Sequence, residues 1–162
     1  HEHYDHMGGV AVHPKLAQLP FRVTPQQLAV PSNLEPVKFP EAAKASLPTL
    51  TYEQGAAIAP GVAVWRSAGH TVGAQLVFVQ RADGEEYLFL GDVAWYRANY
   101  QQVRERAGLA TLIMGEDRGA VLAQLTAIKA LAEANPKLHI VPGHDPAVYA
   151  EAFAAGWLAR GF

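Results

Sequence analysis

Proline sets the hardest limit on what this chain can fold into. Between residues 20 and 60 it recurs at Pro20, Pro25, Pro31, Pro36, Pro40, Pro48 and Pro60. Each proline ring fixes φ and removes a backbone donor, so it ends helices and is excluded from central strands. Only short turns of helix fit there, over Pro25–Leu28 and Pro40–Ser46, with proline in the first turn where it is tolerated. Residues 20–60 therefore read as a surface excursion that shapes the mouth of a site.

After Pro60 the pattern turns regular. Val62–Arg66, Gln75–Gln80 and Tyr87–Leu90 read as strands, the last two joined by a hairpin carrying Asp83-Gly84. Tyr96–Arg106 and Arg118–Ala134 read as helices. In the second, Val121, Leu122, Leu125, Ile128, Leu131 and Ala132 share one face, Asp117 is placed to cap it, and Asn135-Pro136 to stop it. Leu138–Val141 reads as a short buried strand and Ala147–Leu158 as a closing helix. Trp65, alternating with Val62 and Val64, reads as core. A length of 162 residues suits one α/β domain spanning residues 1–162.

Composition removes whole classes of function. The formal net charge is −2 and no basic tract interleaves with aromatics, so nucleic acid is not an expected partner. No apolar run approaches the roughly 20 residues that cross a bilayer, so no membrane partner is expected. Cysteine is absent, which excludes disulfides, thiolate metal sites and cysteine nucleophiles, and leaves localisation open.

Histidine and aspartate carry what chemistry remains. Three of the seven histidines fall in the opening His1-Glu2-His3-Tyr4-Asp5-His6. Imidazole nitrogen and carboxylate oxygen are the usual zinc ligands when thiolates are missing. In an extended segment His1 and His3 point the same way while Asp5 and His6 turn elsewhere, so one short stretch can serve two metals. Three strand-end loops add the other ligand types: Gly69-His70-Thr71 between two strands, Gly91-Asp92 after a strand, and Gly143-His144-Asp145 after another. Each is ordinary alone, His70 as a structural histidine and Asp92 as a helix cap. Together they occupy the strand ends where α/β proteins commonly build sites. His13 and His139 lie outside these motifs.

The run His-x-His-x-Asp-His, Gly-His-Thr-x-Gly, Gly-Asp and Gly-His, in this order, resembles the metallo-β-lactamase superfamily. The resemblance implies an αββα sandwich, with the site at one edge of its two sheets. It implies that His1, His3 and His70 hold one divalent ion, and Asp5, His6 and His144 a second, with Asp92 and a water or hydroxide bridging them. Zinc is the expected metal, with iron or manganese as alternatives. Two ions about 3.5–4 Å apart would bring the water's pKa toward neutrality and polarise the carbonyl it attacks, while Asp5 accepts or passes on a proton.

Among family members, flavo-diiron oxidoreductases carry Glu where this chain has His3. The 22-residue step from His70 to Asp92 and the Gly143-His144-Asp145 ending are most similar to N-acyl-homoserine lactonases. That likeness implies a small ester or lactone substrate. Those enzymes place a substrate-contacting Tyr three residues beyond the bridging Asp, where this chain has Trp95 followed by Tyr96; pocket wall and core are open alternatives for both. A thioesterase of glyoxalase-II type, a mono-iron dioxygenase and a catalytically incomplete fragment remain as alternatives. Relatives also carry several strands ahead of the first motif. A sandwich without them exposes apolar sheet, which predicts a homodimer, strand swapping or a separate N-terminal segment.

Overall fold

Among the described residues, five strands run in sequence order across one sheet: β1 (Gly55–Ala59), β2 (Val62–Arg66), β3 (Gln75–Gln80), β4 (Glu86–Gly91) and β5 (His139–Pro142). The computed structural model describes residues 1, 3, 5, 6, 8, 22–30 and 50–159. Strands β1 to β4 pair antiparallel, and β5 adds parallel to β4. Consequently β2, β4 and β5 all run the same way, and their C-terminal ends share one edge of the sheet. A parallel pair cannot be joined by a tight turn. The β4–β5 connection instead holds three helices: α2 (Arg97–Gln101), α3 (Gly108–Met114) and α4 (Arg118–Ala134). Before the sheet stands α1 (Pro25–Ala29), and α5 (Pro146–Ala155) follows it.

The long helix α4 forms where the apolar periodicity requires it. Asp117 caps it by accepting from the Ala120 N–H at 3.0 Å, and Asn135 closes it. Its Val121, Leu125 and Ile128 are buried against Leu88, Leu90, Val93, Ala94, Tyr100 and Ile140. Each such side chain removed from water contributes about 1.5–3 kcal/mol. Leu131, expected on the same face, lies at its margin and is 40% exposed.

Several elements depart from the sequence expectation. Strand β1 lies inside the proline-rich stretch; proline tolerates it because it is an edge strand, and Pro60 follows it in the turn to β2. Trp65 is not core. It projects to the opposite face from buried Val64, packs edge-on to Phe78 and is 42% exposed. The expected helix over Tyr96–Arg106 stops at Gln101 because Asn99 captures the chain: its side-chain amide donates to the Arg104 carbonyl at 2.8 Å, and its own carbonyl accepts from the Arg104 N–H at 2.8 Å. That clamp holds Val103 at φ 48°. For a β-branched residue this backbone carries strain on the order of 1–3 kcal/mol, offset by packing Val103 against the core. The third helix in this connection, α3, has no counterpart in the expectation. Strand β4 is one residue longer at each end than Tyr87–Leu90, β5 is His139–Pro142 rather than Leu138–Val141, and the last helix ends at Ala155, where Gly156 turns left-handed. The short helix expected at Pro25–Leu28 is present as α1. The one expected at Pro40–Ser46, and His13, lie outside the described residues. Among the described residues, no helix is long and apolar enough to cross a membrane.

Candidate metal centre

The shared edge of β2, β4 and β5 places three of the motifs side by side. His70 comes from the β2–β3 loop, Asp92 from the end of β4, and His144 from the end of β5. Each loop is tied down. The His70 loop is held from α4 and the residue that caps it: Gln124 donates to the Ala68 carbonyl at 2.6 Å and accepts from the Ser67 hydroxyl, and the Asp117 N–H donates to the Gly69 carbonyl at 2.9 Å. The His144 loop is bonded to the Asp92 loop by Gly143 N–H to the Ala94 carbonyl and His144 N–H to the Trp95 carbonyl, both at 3.0 Å. Tyr149 of α5 donates to the Pro142 carbonyl at 3.1 Å, and Asp145 accepts from backbone N–H groups opening both α5 and α2. Gly143 permits this close approach, because a Cβ there would lie 2.6 Å from the Gly91 carbonyl oxygen and 2.7 Å from Asp92 Oδ1.

Around Asp92 the side chains gather into two groups that share it: His1, His3, His70 and Asp92, and Asp5, His6, Asp92 and His144. Within each group the potential ligand atoms lie within 4.8 Å of one another. In the first, His3 Nδ1 is 2.9 Å from His1 Nε2 and 3.0 Å from His70 Nε2, while Asp92 Oδ2 is 3.3 Å from His70 Nε2. In the second, Asp92 Oδ1 is 3.0 Å from both His6 Nε2 and His144 Nε2, and Asp5 Oδ2 is 3.3 Å from His144 Nε2. One carboxylate thus turns one oxygen to each group. All seven residues expected from the sequence as ligands are brought together. The two aromatics expected at the substrate are placed differently. Trp95 is half-buried beside the ligands, its indole N–H donating to Asp92 Oδ2 at 3.0 Å and its ring edge against His144. Tyr96 opens α2 and is 48% exposed. His139 stacks on Tyr87 and on Trp157 and pairs with Glu85, outside the ligand groups.

The donors suit a divalent cation. Asp92 Oδ1 and His144 Nε2 are buried and 3.0 Å apart, yet neither satisfies hydrogen-bond geometry with any partner. A buried polar atom left unsatisfied costs about 1–3 kcal/mol, and a cation held between such atoms would satisfy them. The donor set is nitrogen and carboxylate oxygen without sulfur, which accepts zinc, iron or manganese. Protonation states agree. Burial, reinforced by the Arg106 and His6 charges and opposed by Asp92, lowers the His70 pKa to about 4. Burial and the neighbouring His70 also lower His3. Both rings are then neutral near pH 7, the form that ligates metals. Burial alone would raise Asp92, but contact with His6, the His70 charge and the Trp95 N–H outweigh it and hold this carboxyl well below the usual carboxylate range.

Two residues that the sequence did not single out stand behind the ligands. Glu116, its side chain fully buried, meets His70 Nδ1 and forms an ion pair with Arg106. The Arg106 guanidinium lies 4.4 Å from the Trp95 ring centroid, and burial lowers its pKa to about 10. The one signal for Glu116 is its place just before the helix cap Asp117, which does not distinguish it from any acidic residue ahead of a helix.

Comparison with known proteins agrees with this geometry. A family model described as the metallo-beta-lactamase superfamily matches residues 1–144. Among solved structures, B. thuringiensis AiiA with N-decanoyl-L-homoserine bound at its active site aligns with a TM-score of 0.67 at 21% identity, over 93% of this chain and 56% of its own. An N-acyl homoserine lactone hydrolase with the product N-hexanoyl-L-homoserine at its catalytic metal centre gives the same values. A probable metal-dependent hydrolase from Staphylococcus aureus aligns with a TM-score of 0.66 at 15% identity, over 90% of this chain and 52% of its own. At these identities the structures share the fold, and this chain spans about half their length. A search among curated proteins finds no match. With the sheet order, the four motifs at one sheet edge and the family match over residues 1–144 in agreement, this chain belongs to the metallo-beta-lactamase superfamily.

Proposed function

We propose that this chain carries the metal centre of a hydrolase that holds two divalent ions, zinc first among them, and directs a water at an ester or lactone carbonyl. The observation that carries this reading is the division of Asp92, one oxygen toward each of two ligand groups. His1, His3 and His70 would hold one ion with Asp92, and Asp5, His6 and His144 the other with Asp92. Such ions, when bound, lower the pKa of a water and polarise the carbonyl under attack.

The protein groups supply the rest. Asp92, buried and ionised, sets a fixed negative charge between the groups and takes a hydrogen bond from Trp95. Asp5 is half exposed, with its carboxylate turned toward His6 and His144. An exposed carboxylate at the rim can take a proton from the attacking water and return it to the leaving oxygen. A groove of about 580 Å³ runs from His1 and His6 past Leu50, Val64 and Phe89, with Arg22 in its wall. Its apolar lining suits the hydrocarbon part of a small ester or lactone. The named ligands of two fold neighbours, N-decanoyl- and N-hexanoyl-L-homoserine, are opened lactones with such chains.

Elemental analysis of the purified protein, joined to a panel of lactone, thioester and phosphotriester substrates, tests the reading. Two equivalents of metal with lactone turnover are expected, and Asp92→Ala should abolish turnover and reduce metal content. One equivalent of iron, or thioester turnover with inert lactones, would replace the proposal by a dioxygenase or a thioesterase. Wild-type activity in Asp92→Ala would remove the role assigned to that carboxylate.

A further inference from the structure

His70 faces two carboxylates and has, as a neutral ring, one proton for them. Its Nε2 lies 3.3 Å from Asp92 Oδ2, and its Nδ1 meets Glu116 Oε1. The two arrangements have opposite consequences. With the proton on Nε2, His70 donates to Asp92, and two members of one ligand group satisfy each other. With the proton on Nδ1, the Nε2 lone pair faces His3 Nδ1 and Asp92, as metal ligation requires.

The shorter contacts favour the second arrangement; Arg106 Nη1, a donor 3.4 Å from His70 Nδ1, is the longer contact that favours the first. Glu116 is the nearer carboxylate, and Arg106 pairs with the same oxygen, supplying the counter-charge a buried acceptor needs. At the other end, Asp92 Oδ2 already receives the Trp95 indole N–H at 3.0 Å. The Trp95 ring also carries the Arg106 guanidinium on its face. A closed circuit therefore runs His70–Glu116–Arg106–Trp95–Asp92–His70. Its parts come from four separate loops, and the strained turn at Val103 lies on the path that brings the chain round to Arg106.

We propose that Glu116, braced by Arg106, is the positioning residue of this centre: by accepting a hydrogen bond from the Nδ1–H of His70 it keeps the proton there and leaves the Nε2 lone pair directed at the ligand group, while Trp95 holds Asp92 from the other side. This deepens the metal-centre reading and rests on it. Carboxylates behind metal-ligating histidines act in this way generally, and their loss weakens metal binding on the order of 10–100-fold.

The test uses the whole chain, with zinc as probe. Long-range ¹H–¹⁵N spectra of the metal-free protein at pH 7 should show His70 protonated on Nδ1. Glu116→Gln keeps an acceptor and should preserve that tautomer. The double variant Glu116→Leu/Arg106→Met keeps volume and leaves no unpaired buried charge. It should melt near the wild-type temperature, shift His70 toward the Nε2–H form and lose on the order of 10–100-fold in zinc affinity by chelator competition. A wild-type His70 protonated on Nε2, or a double variant with unchanged tautomer and zinc affinity, overturns the positioning role. A wild type that has the Nδ1–H tautomer yet takes up no zinc overturns the metal-centre reading itself, and the two failures are thereby told apart.

Discussion

Replacing Gly143 by alanine tests how tightly the two strand-end loops determine the site. Gly143 follows β5 directly, and an added Cβ would lie 2.6 Å from the Gly91 carbonyl oxygen and 2.7 Å from Asp92 Oδ1. The obstacles are backbone and a buried carboxylate, not the end of a flexible chain. Ordinary contact begins near 3.4 Å, so Asp92 Oδ1 must withdraw by about 0.7 Å or the loop must lift. Lifting is resisted by the two 3.0 Å bonds from Gly143 and His144 to Ala94 and Trp95. Relief therefore requires the Gly91 backbone and the Asp92 carboxylate to shift together, which disturbs the 3.0 Å spacing of Asp92 Oδ1 from both His6 and His144. Working sites tolerate displacements of about 0.5 Å, and a misplacement of about 1 Å costs on the order of 100-fold in rate. Zinc affinity should fall by on the order of 10–100-fold. The added methyl itself destabilises by about 1–3 kcal/mol, which leaves the chain folded with a melting temperature lower by several degrees. Chelator-competition titration with zinc, read beside a thermal melt, separates the two effects. A folded Gly143→Ala protein with wild-type zinc stoichiometry and affinity would refute the claim that this contact sets the position of Asp92.

Acidity should act on the metal-free protein through His70. Its folded pKa is depressed to about 4 against 6.5 in the unfolded chain, so below 6.5 the unfolded state binds more protons and stability falls as pH drops from 6.5 toward 4. The full window is worth about 3 kcal/mol, and urea melts showing no loss across it would contradict the burial assigned to this ring. Trp95→Phe removes the N–H given to Asp92 while keeping an aromatic face for Arg106. A hydrogen bond to a charged group is worth about 1.5–3 kcal/mol, so zinc affinity should drop at least several-fold by the same titration, and an unchanged value would show that Asp92 holds its place without that bond. Leu125→Ala empties a fully buried position beneath the sheet and should cost about 2–5 kcal/mol by denaturant melt. A loss under 1 kcal/mol would mean that α4 is not the main cover of this face.

Local rules were enough to read from the sequence whatever depends on a few neighbouring residues. Strands β2 and β3 and helix α4 have the expected bounds because alternation, a 3.6-residue apolar period and an Asp117 cap are local properties of the chain. The ligand types were legible for the same reason: four short motifs carry them, and histidine and aspartate in that order have few other uses. Local rules failed where a distant contact overrode them. The helix expected through Arg106 ends at Gln101 because Asn99 grips Arg104 and Val103 gains a place in the core, which only the folded packing supplies. Trp65 was assigned the wrong surroundings because alternation orders residues onto two faces without saying how well each face is covered. The division of Asp92 between two groups, and the circuit through Glu116, Arg106 and Trp95, belong wholly to tertiary structure. They depend on β2, β4 and β5 ending at one edge, and on turns that bring together residues as far apart in the chain as Asp5 and His144. Distances of that kind are set by the packing of whole elements, and no spacing within a single motif encodes them.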